Sequence, residues 1–177
     1  MSERTPRCTE MQWLYEHSPD GASRFVLGTA GANPLICFGV NPSTARPEKL
    51  DPTVARVSRI AQINGYDSWI MLNIYPQIST DPKGLHRRLE PALKSENERW
   101  ISAAIADSDS ALLAAWGVLV GTRPYLRTAL SDILALPAIA TRDWMSLGQP
   151  TRDGHPRHPS RLAASTRLQP FDVDGYR

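Results

Sequence analysis

Two asparagines and two histidines are the residues of this sequence best suited to chemistry. Asn41 and Asn73 each follow a short apolar run, and His155 and His158 share one proline-rich segment. An asparagine amide can hold a water molecule through its carbonyl, or pair with the edge of a heterocycle through its donor and acceptor. The alternative interpretation is that each asparagine only caps a loop, as asparagines often do in turns.

The histidines have a weaker signal for metal binding. They lie three residues apart, but the flanking prolines argue against a shared helical face, and no carboxylate cluster completes a metal site. We expect no metal here, and a hydrogen-bonded loop histidine is the alternative to a functional one.

The elements that must position these residues alternate between apolar runs and helical patterns. One helix is predicted from Pro52 to Ile63 with Asp51 as its cap, a second from Ser95 to Asp107, where Ser95 and Glu98 have capping-box spacing, and a third over 125–136. A weaker strand is predicted over 24–29. Four short apolar runs predict buried strands, at 35–40, 69–72, 111–116 and 138–141.

Strands separated by helices predict right-handed crossovers, and therefore a three-layer α/β sandwich with a mostly parallel central sheet of about four strands. In such a sheet ligands bind beyond the carboxyl ends of the strands. The residues at those ends are Asn41-Pro42-Ser43, Asn73 and Trp116-Gly117, and the loop 155–162 can join them. We expect a single domain over residues 1–177 with its core in 24–168.

Composition excludes several classes of protein. The chain has 177 residues, of which 41% are hydrophobic and 21% charged, and its formal net charge is +2. These values are typical of a globular domain and do not by themselves indicate a nucleic-acid partner. No apolar stretch approaches the roughly 20 residues that span a bilayer, and residues 1–10 lack the apolar region of a secretory signal. We therefore expect a cytoplasmic protein without a membrane span, and a monomer.

Sequence motifs exclude the common cofactor chemistries. No predicted strand is followed by a dinucleotide-binding glycine turn, a P-loop lysine or a nucleophile elbow. Cys8 and Cys37 are the only cysteines, which excludes a disulfide framework, and Cys37 lies in an apolar run typical of the core. We expect no cofactor and no covalent catalysis.

The order of the motifs resembles that of the uracil-DNA glycosylase superfamily. Residues 39–43 are similar to its water-activating loop, 70–73 to its strand with a base-reading asparagine, 113–117 to its Trp-Gly strand and 158–162 to its His-Pro-Ser loop. The pattern Asn-Pro-Ser-Thr-Ala followed by Asp-Pro-Thr resembles even more closely a bacterial family catalogued as domain of unknown function 1643.

The resemblance implies a uracil-DNA-glycosylase-like fold and an N-glycosylase acting on DNA or on a modified nucleoside. It implies that Asn41 holds the hydrolytic water and that His158 stabilises charge on the departing base. The implied base-binding residues are Asn73, Ser43 and Trp116. The implied nucleic-acid contacts are Arg157, Ser160, Arg161 and Leu162, with Ser160 on a phosphate and Leu162 filling the gap left by a flipped nucleotide.

Two other functions remain open from the sequence. One is a non-catalytic module of the same fold that binds nucleic acid or nucleotides, which would show salt-dependent binding without release of a base. The other is a small-molecule hydrolase on an unrelated α/β scaffold. The position of Leu162 discriminates among substrates, because a Leu162 buried in the core excludes a duplex but leaves a nucleoside possible.

Overall fold

The computed structural model describes residues 11–177, within which the chain forms seven strands and three α-helices. The predictions for Cys8 and for a missing secretory signal fall outside these residues. The strands are β1 (Trp13–His17), β2 (Arg24–Thr29), β3 (Pro34–Gly39), β4 (Ser68–Asn73), β5 (Leu112–Ala114), β6 (Trp144–Leu147) and β7 (Leu168–Pro170). The helices are α1 (Pro52–Ile63), α2 (Pro91–Ile105) and α3 (Pro124–Leu134).

The strands join in one mixed sheet of order β1-β2-β4-β3-β5-β6-β7. The central strands β4, β3, β5 and β6 run parallel, whereas β1, β2 and β7 pair antiparallel with their neighbours. The α/β class is confirmed. The expected sheet of about four mostly parallel strands corresponds only to the four central strands. The whole sheet has seven strands, and half of its pairings are antiparallel.

Helices cover both faces of the sheet. Side chains alternate along β3, so Ile36 and Phe38 pack in one hydrophobic cluster with residues of α2 and α3, while Leu35 and Cys37 pack in the other with residues of α1. Cys37 is fully buried, as predicted for a core residue, and burial raises the pKa of its thiol.

The first predicted helix agrees with the structure at both ends. Pro52 begins α1, and the side chain of Asp51 accepts a hydrogen bond from the Val54 amide, which is the expected cap. Gly65 follows the helix with a φ of 84°, a left-handed conformation that favours glycine.

The second helix begins four residues earlier than the capping-box spacing predicts. Pro91 occupies the first turn, and Ser95 lies inside the helix. Glu98 forms an ion pair with Lys94 and takes no part in capping the helix. Proline fits the first turn because its missing N–H has no helical partner there. The proline signal therefore outweighs the capping-box signal.

The strand predicted at 138–141 is wrong. These residues form turns, with the Ile139 and Ala140 amides donating to the Leu136 carbonyl, and the strand begins at Trp144. Ile139 is nevertheless fully buried, so the apolar run reflects burial and not strand formation. The strands β1 and β7 are missing from the prediction because they are short, partly exposed edge strands without a continuous apolar run.

Candidate functional site

A cavity of about 200 Å³ opens at the carboxyl ends of β3 and β4. A cavity of roughly 150 Å³ holds one benzene ring, so this one has room for a planar ring and part of a substituent. We call it the cavity throughout. Its apolar lining includes Val40, Met71 and Leu119, and its polar lining comes from Arg24, Asn41, Ser43, Asp51, Thr53, Asn73, Ser79, Thr80 and His158.

Strand register explains why distant parts of the chain meet at the cavity. Gly39 and Asn73 are paired residues at the ends of β3 and β4, so the loop that contains Asn41 begins beside Asn73. The strand β2 runs antiparallel to β4, which brings its first residue, Arg24, to the same edge, where the Arg24 amide donates to the Pro76 carbonyl.

Asn73 lines the cavity, and its side-chain amide is unpaired. The residue is 1% exposed, and neither its Nδ2 nor its Oδ1 has a hydrogen-bond partner among the described residues. Its backbone carbonyl accepts a bond from Asn97 Nδ2, which anchors the strand end. A methyl group on Gly39 would lie 3.0 Å from Asn73 Oδ1, so a larger residue at position 39 would crowd the Asn73 amide. A buried unpaired amide costs free energy that a bound ligand can recover.

Asn41 has a fixed orientation because its Nδ2 donates to the carbonyls of Pro42 and Ser79, each at 2.9 Å. Carbonyl oxygens only accept hydrogen bonds, so the nitrogen of the amide must face them. Oδ1 is therefore left as the acceptor that a ligand or a water molecule can use.

His158 has a defined tautomer in its neutral form. The Ser160 amide donates to His158 Nδ1 at 3.3 Å, and Ser160 Oγ lies 2.7 Å from the same nitrogen. Since a backbone amide only donates, Nδ1 carries no proton and the neutral ring is protonated at Nε2. Burial lowers the pKa of His158, Arg161 lowers it further, and Asp51 opposes the shift.

Gly117 makes close packing of the histidine loop possible. Its φ of 59° is a left-handed conformation, and a Cβ atom there would lie 3.4 Å from His158 Cβ. The Trp-Gly pair at the end of β5 thus contributes its glycine to the site. The Trp116 side chain does not line the cavity but is fully buried against Trp144, Phe171 and Tyr176.

Arg24 and Asp51 add opposite charges to the cavity. Burial lowers the pKa of Arg24 to about 10, while the nearby Asp51 and Tyr15 oppose the shift, so the guanidinium is charged at neutral pH. Arg24 Nη1 donates to the Ala45 carbonyl at 2.6 Å and thereby holds the loop that follows Asn41. Asp51 uses one carboxylate oxygen to cap α1.

A second depression, which we call the groove, has a volume of about 190 Å³ and shares His158 and Leu119 with the cavity. It is lined by three of the four predicted nucleic-acid contacts, Arg157, Ser160 and Arg161, all of which are exposed. Leu162 lies elsewhere. Its side chain is half-buried against the hydrophobic cluster of α1, and its carbonyl accepts a hydrogen bond from Arg56.

The structure thus brings Asn41, Ser43, Asn73 and His158 to one cavity and leaves Trp116 and Leu162 outside it. His155 is also elsewhere, with Nδ1 2.6 Å from the Tyr176 hydroxyl. Arg24 was not predicted as a site residue, and Asp51 was predicted only as the cap of α1. A signal for Arg24 exists, since it is a charge directly before the apolar residues Phe25, Val26 and Leu27.

Two features are absent from residues 11–177. No group of three or more His, Cys, Asp or Glu side chains is arranged to hold a metal ion. No helix in this range has the length and apolar character needed to cross a bilayer.

Comparison with protein families shows to which family the chain belongs. The model of a family described as a protein of unknown function (DUF1643) matches residues 24–160. The chain belongs to the DUF1643 family. The matched DUF1643 segment begins at Arg24 and includes every residue that lines the cavity, of which His158 is the last. Searches among curated proteins and among solved structures gave no match. The resemblance to DUF1643 is confirmed, and the one to uracil-DNA glycosylases stays a prediction.

Proposed function

We propose that this DUF1643 protein binds a nucleobase in the cavity and hydrolyses the N-glycosidic bond that joins the base to its sugar. The observation that carries the proposal is the unpaired, buried amide of Asn73. An amide offers a donor beside an acceptor, which is the arrangement that pairs with the edge of a base. The volume of the cavity suits one planar ring.

Two other groups match the chemistry of glycosidic cleavage. In hydrolysis the C1′–N bond breaks, the hydroxyl of a water molecule is added to C1′, and the base leaves with the bonding electrons and takes up the proton. The Asn41 Oδ1 atom is the acceptor that would hold this water molecule. The Nε2–H of neutral His158 is a donor for the negative charge that develops on the base, and preorganised donors of this kind lower such barriers.

The motif order supports the same assignment of roles. The motifs that contain Asn41, Asn73 and His158 occur along the chain in an order that resembles that of the uracil-DNA glycosylase superfamily. All three residues line one cavity. In this proposal the fold is of that type, with the four parallel strands as its centre. The substrate is a base in DNA or in a modified nucleoside.

Binding without hydrolysis is a second candidate function, and one observation favours it. Asn41 is an amide, so it can hold a water molecule but cannot take its proton. The carboxylate that lines the cavity, Asp51, is engaged as the cap of α1. A module of this kind would retain nucleobase ligands and release no product.

Base release is the measurement that separates these two functions. The protein would be incubated with nucleosides and with duplexes that carry uracil, mismatched thymine or a hypermodified base, and the free base measured by mass spectrometry. We expect release from at least one substrate, and its loss in Asn41→Ala. Asn64→Ala is the matched control, because Asn64 Nδ2 also donates to a backbone carbonyl, that of Ile60, but lies away from the cavity.

Two results would contradict the proposal in different ways. Tight binding of a nucleoside without any base release would leave the binding module. If no substrate binds or reacts, and Asn41→Ala behaves as the wild type does, the nucleobase assignment itself is wrong.

A further inference from the structure

The cavity contains a buried positive charge that the proposed reaction does not use. Arg24 is 2% exposed, and its Nε has no hydrogen-bond partner among the described residues. Residues 11–177 also provide no carboxylate within ion-pair distance of its guanidinium. The guanidinium has one hydrogen bond, from Nη1 to the Ala45 carbonyl, but no ionic partner. A buried charge without an ionic partner is costly, so a group that pairs with Arg24 gains more binding free energy than the same contact at the surface.

The surroundings of Arg24 suit a phosphate. A guanidinium binds phosphate oxygens with two parallel hydrogen bonds, which a single ammonium group cannot do. Hydroxyl donors stand in the same cavity wall, on Ser43, Thr53 and Thr80. Asp51 is close enough to stabilise the charged form of Arg24 but forms no ion pair with it, so a ligand can use the donors that the Ala45 carbonyl does not occupy.

The position of Leu162 argues against a duplex as the source of that phosphate. A protein that extrudes a base from a duplex must offset the cost of unstacking, often by inserting an apolar side chain. Leu162, the residue expected in that place, packs against the α1 cluster, and Arg56 holds its carbonyl. A free nucleotide needs no such insertion.

We propose, resting on the proposed function, that the natural ligand of the cavity is a nucleoside monophosphate, with its base edge on Asn73 and its phosphate on Arg24. Asn41 and His158 line the same cavity and would face the sugar and the glycosidic bond between these two ends. The proposal names the substrate class and assigns to Arg24 the role of phosphate recognition.

Calorimetric titration of nucleosides against their monophosphates tests the assignment. The probes are deoxyuridine, thymidine and deoxyadenosine, each with and without a 5′-phosphate. For at least one pair we expect the monophosphate to bind about tenfold more tightly or better, as for a hydrogen bond to a charged group. Arg24→Met should bring that ratio close to one.

A matched variant distinguishes phosphate recognition from loop anchoring. Arg56 also donates to a backbone carbonyl, that of Leu162, but does not line the cavity. Arg56→Met should therefore keep the preference for the monophosphate. If Arg24→Met does not fold, Arg24→Lys replaces it, and because lysine keeps the charge but lacks the planar fork, the preference should fall several-fold.

Each contrary result has a distinct meaning. Nucleosides that bind as tightly as their monophosphates overturn this inference and leave the proposed function intact. The inference is also wrong if the preference persists in Arg24→Met or in its lysine substitute, or if only oligonucleotides bind. Absence of binding by every nucleoside and monophosphate overturns the inference together with nucleobase recognition.

Discussion

The cavity and the groove share His158 and Leu119 as a common wall but hold their polar groups in different ways. In the cavity, Asn73 and Arg24 are almost fully buried, and Asn41 is fixed by two backbone carbonyls. In the groove, Arg157 and Arg161 are exposed to solvent.

This difference separates specific recognition from general attraction. A ligand that leaves a buried donor or acceptor without a hydrogen bond binds with less favourable free energy, so the cavity discriminates between ligands. An exposed arginine remains solvated with or without a ligand, and its attraction to phosphate is screened by salt. We therefore expect substitutions in the cavity to have large effects and those in the groove to have small ones.

The largest effect is expected for Asn73→Leu. Nucleoside affinity should fall roughly tenfold to hundredfold, since a paired base edge is worth about 1–3 kcal/mol. The free energy of unfolding should stay within about 1 kcal/mol of the wild type or rise, because an unpaired buried amide is replaced by an apolar group of similar size. Calorimetry and urea denaturation measure the two quantities.

Asn97→Leu is the control for this prediction. Asn97 is equally buried, but its Nδ2 donates to the carbonyls of Asn73 and Ile74. Its replacement should lower the free energy of unfolding by about 1–3 kcal/mol, as for a buried acceptor left without its donor. If Asn73→Leu destabilises the protein as much as Asn97→Leu, Asn73 is a structural residue and the comparison between cavity and groove fails.

Two substitutions of Asp51 separate folding from charge in the cavity wall. Asp51→Ala removes the cap of α1 and should cost about 1 kcal/mol of stability, whereas Asp51→Asn keeps a good cap. Both remove a negative charge that raises the pKa of His158, so this pKa should fall in both. Urea denaturation and NMR titration of the imidazole provide the measurements, and an unchanged pKa in Asp51→Asn would refute the electrostatic link.

The shared wall predicts a pH dependence of stability. The pKa of His158 in the folded protein is lowered from 6.5, so the unfolded chain binds the proton first as the pH falls. The contribution of His158 is complete above about pH 6.5, and it is lost as the pH falls from there through the lowered pKa. Urea denaturation between about pH 7 and pH 5 should show this loss in the wild type and less of it in His158→Gln.

The smallest effect is expected for Arg161→Ala in the groove. Nucleoside affinity should change by less than about twofold, because exposed charges contribute little. Affinity for a single-stranded oligonucleotide, where the protein binds one, should fall and depend less on salt. A loss of nucleoside affinity as large as that of Asn73→Leu would show that groove and cavity form one recognition surface.

Local patterns predicted the elements whose signals lie within a few residues. The apolar runs of β3 and β4 predict strands because their residues are buried. Asp51 and Pro52 predict the start of α1 because aspartate caps the helix and proline lacks an N–H that has no helical partner there. The strand predicted at 138–141 was wrong because the run Ala138 to Ala140 is equally compatible with a packed turn.

Local sequence patterns were enough to predict that Asn41 and Asn73 each follow a buried strand and that His158 lies in a proline-bounded loop. Packing of the folded chain, by contrast, brings Arg24 to these residues, buries Trp116 in the core and places Leu162 against α1. Sequence patterns could not show these contacts, because helix and strand periods are short-range, whereas the antiparallel placement of β2 and the partners of a side chain depend on packing between distant segments.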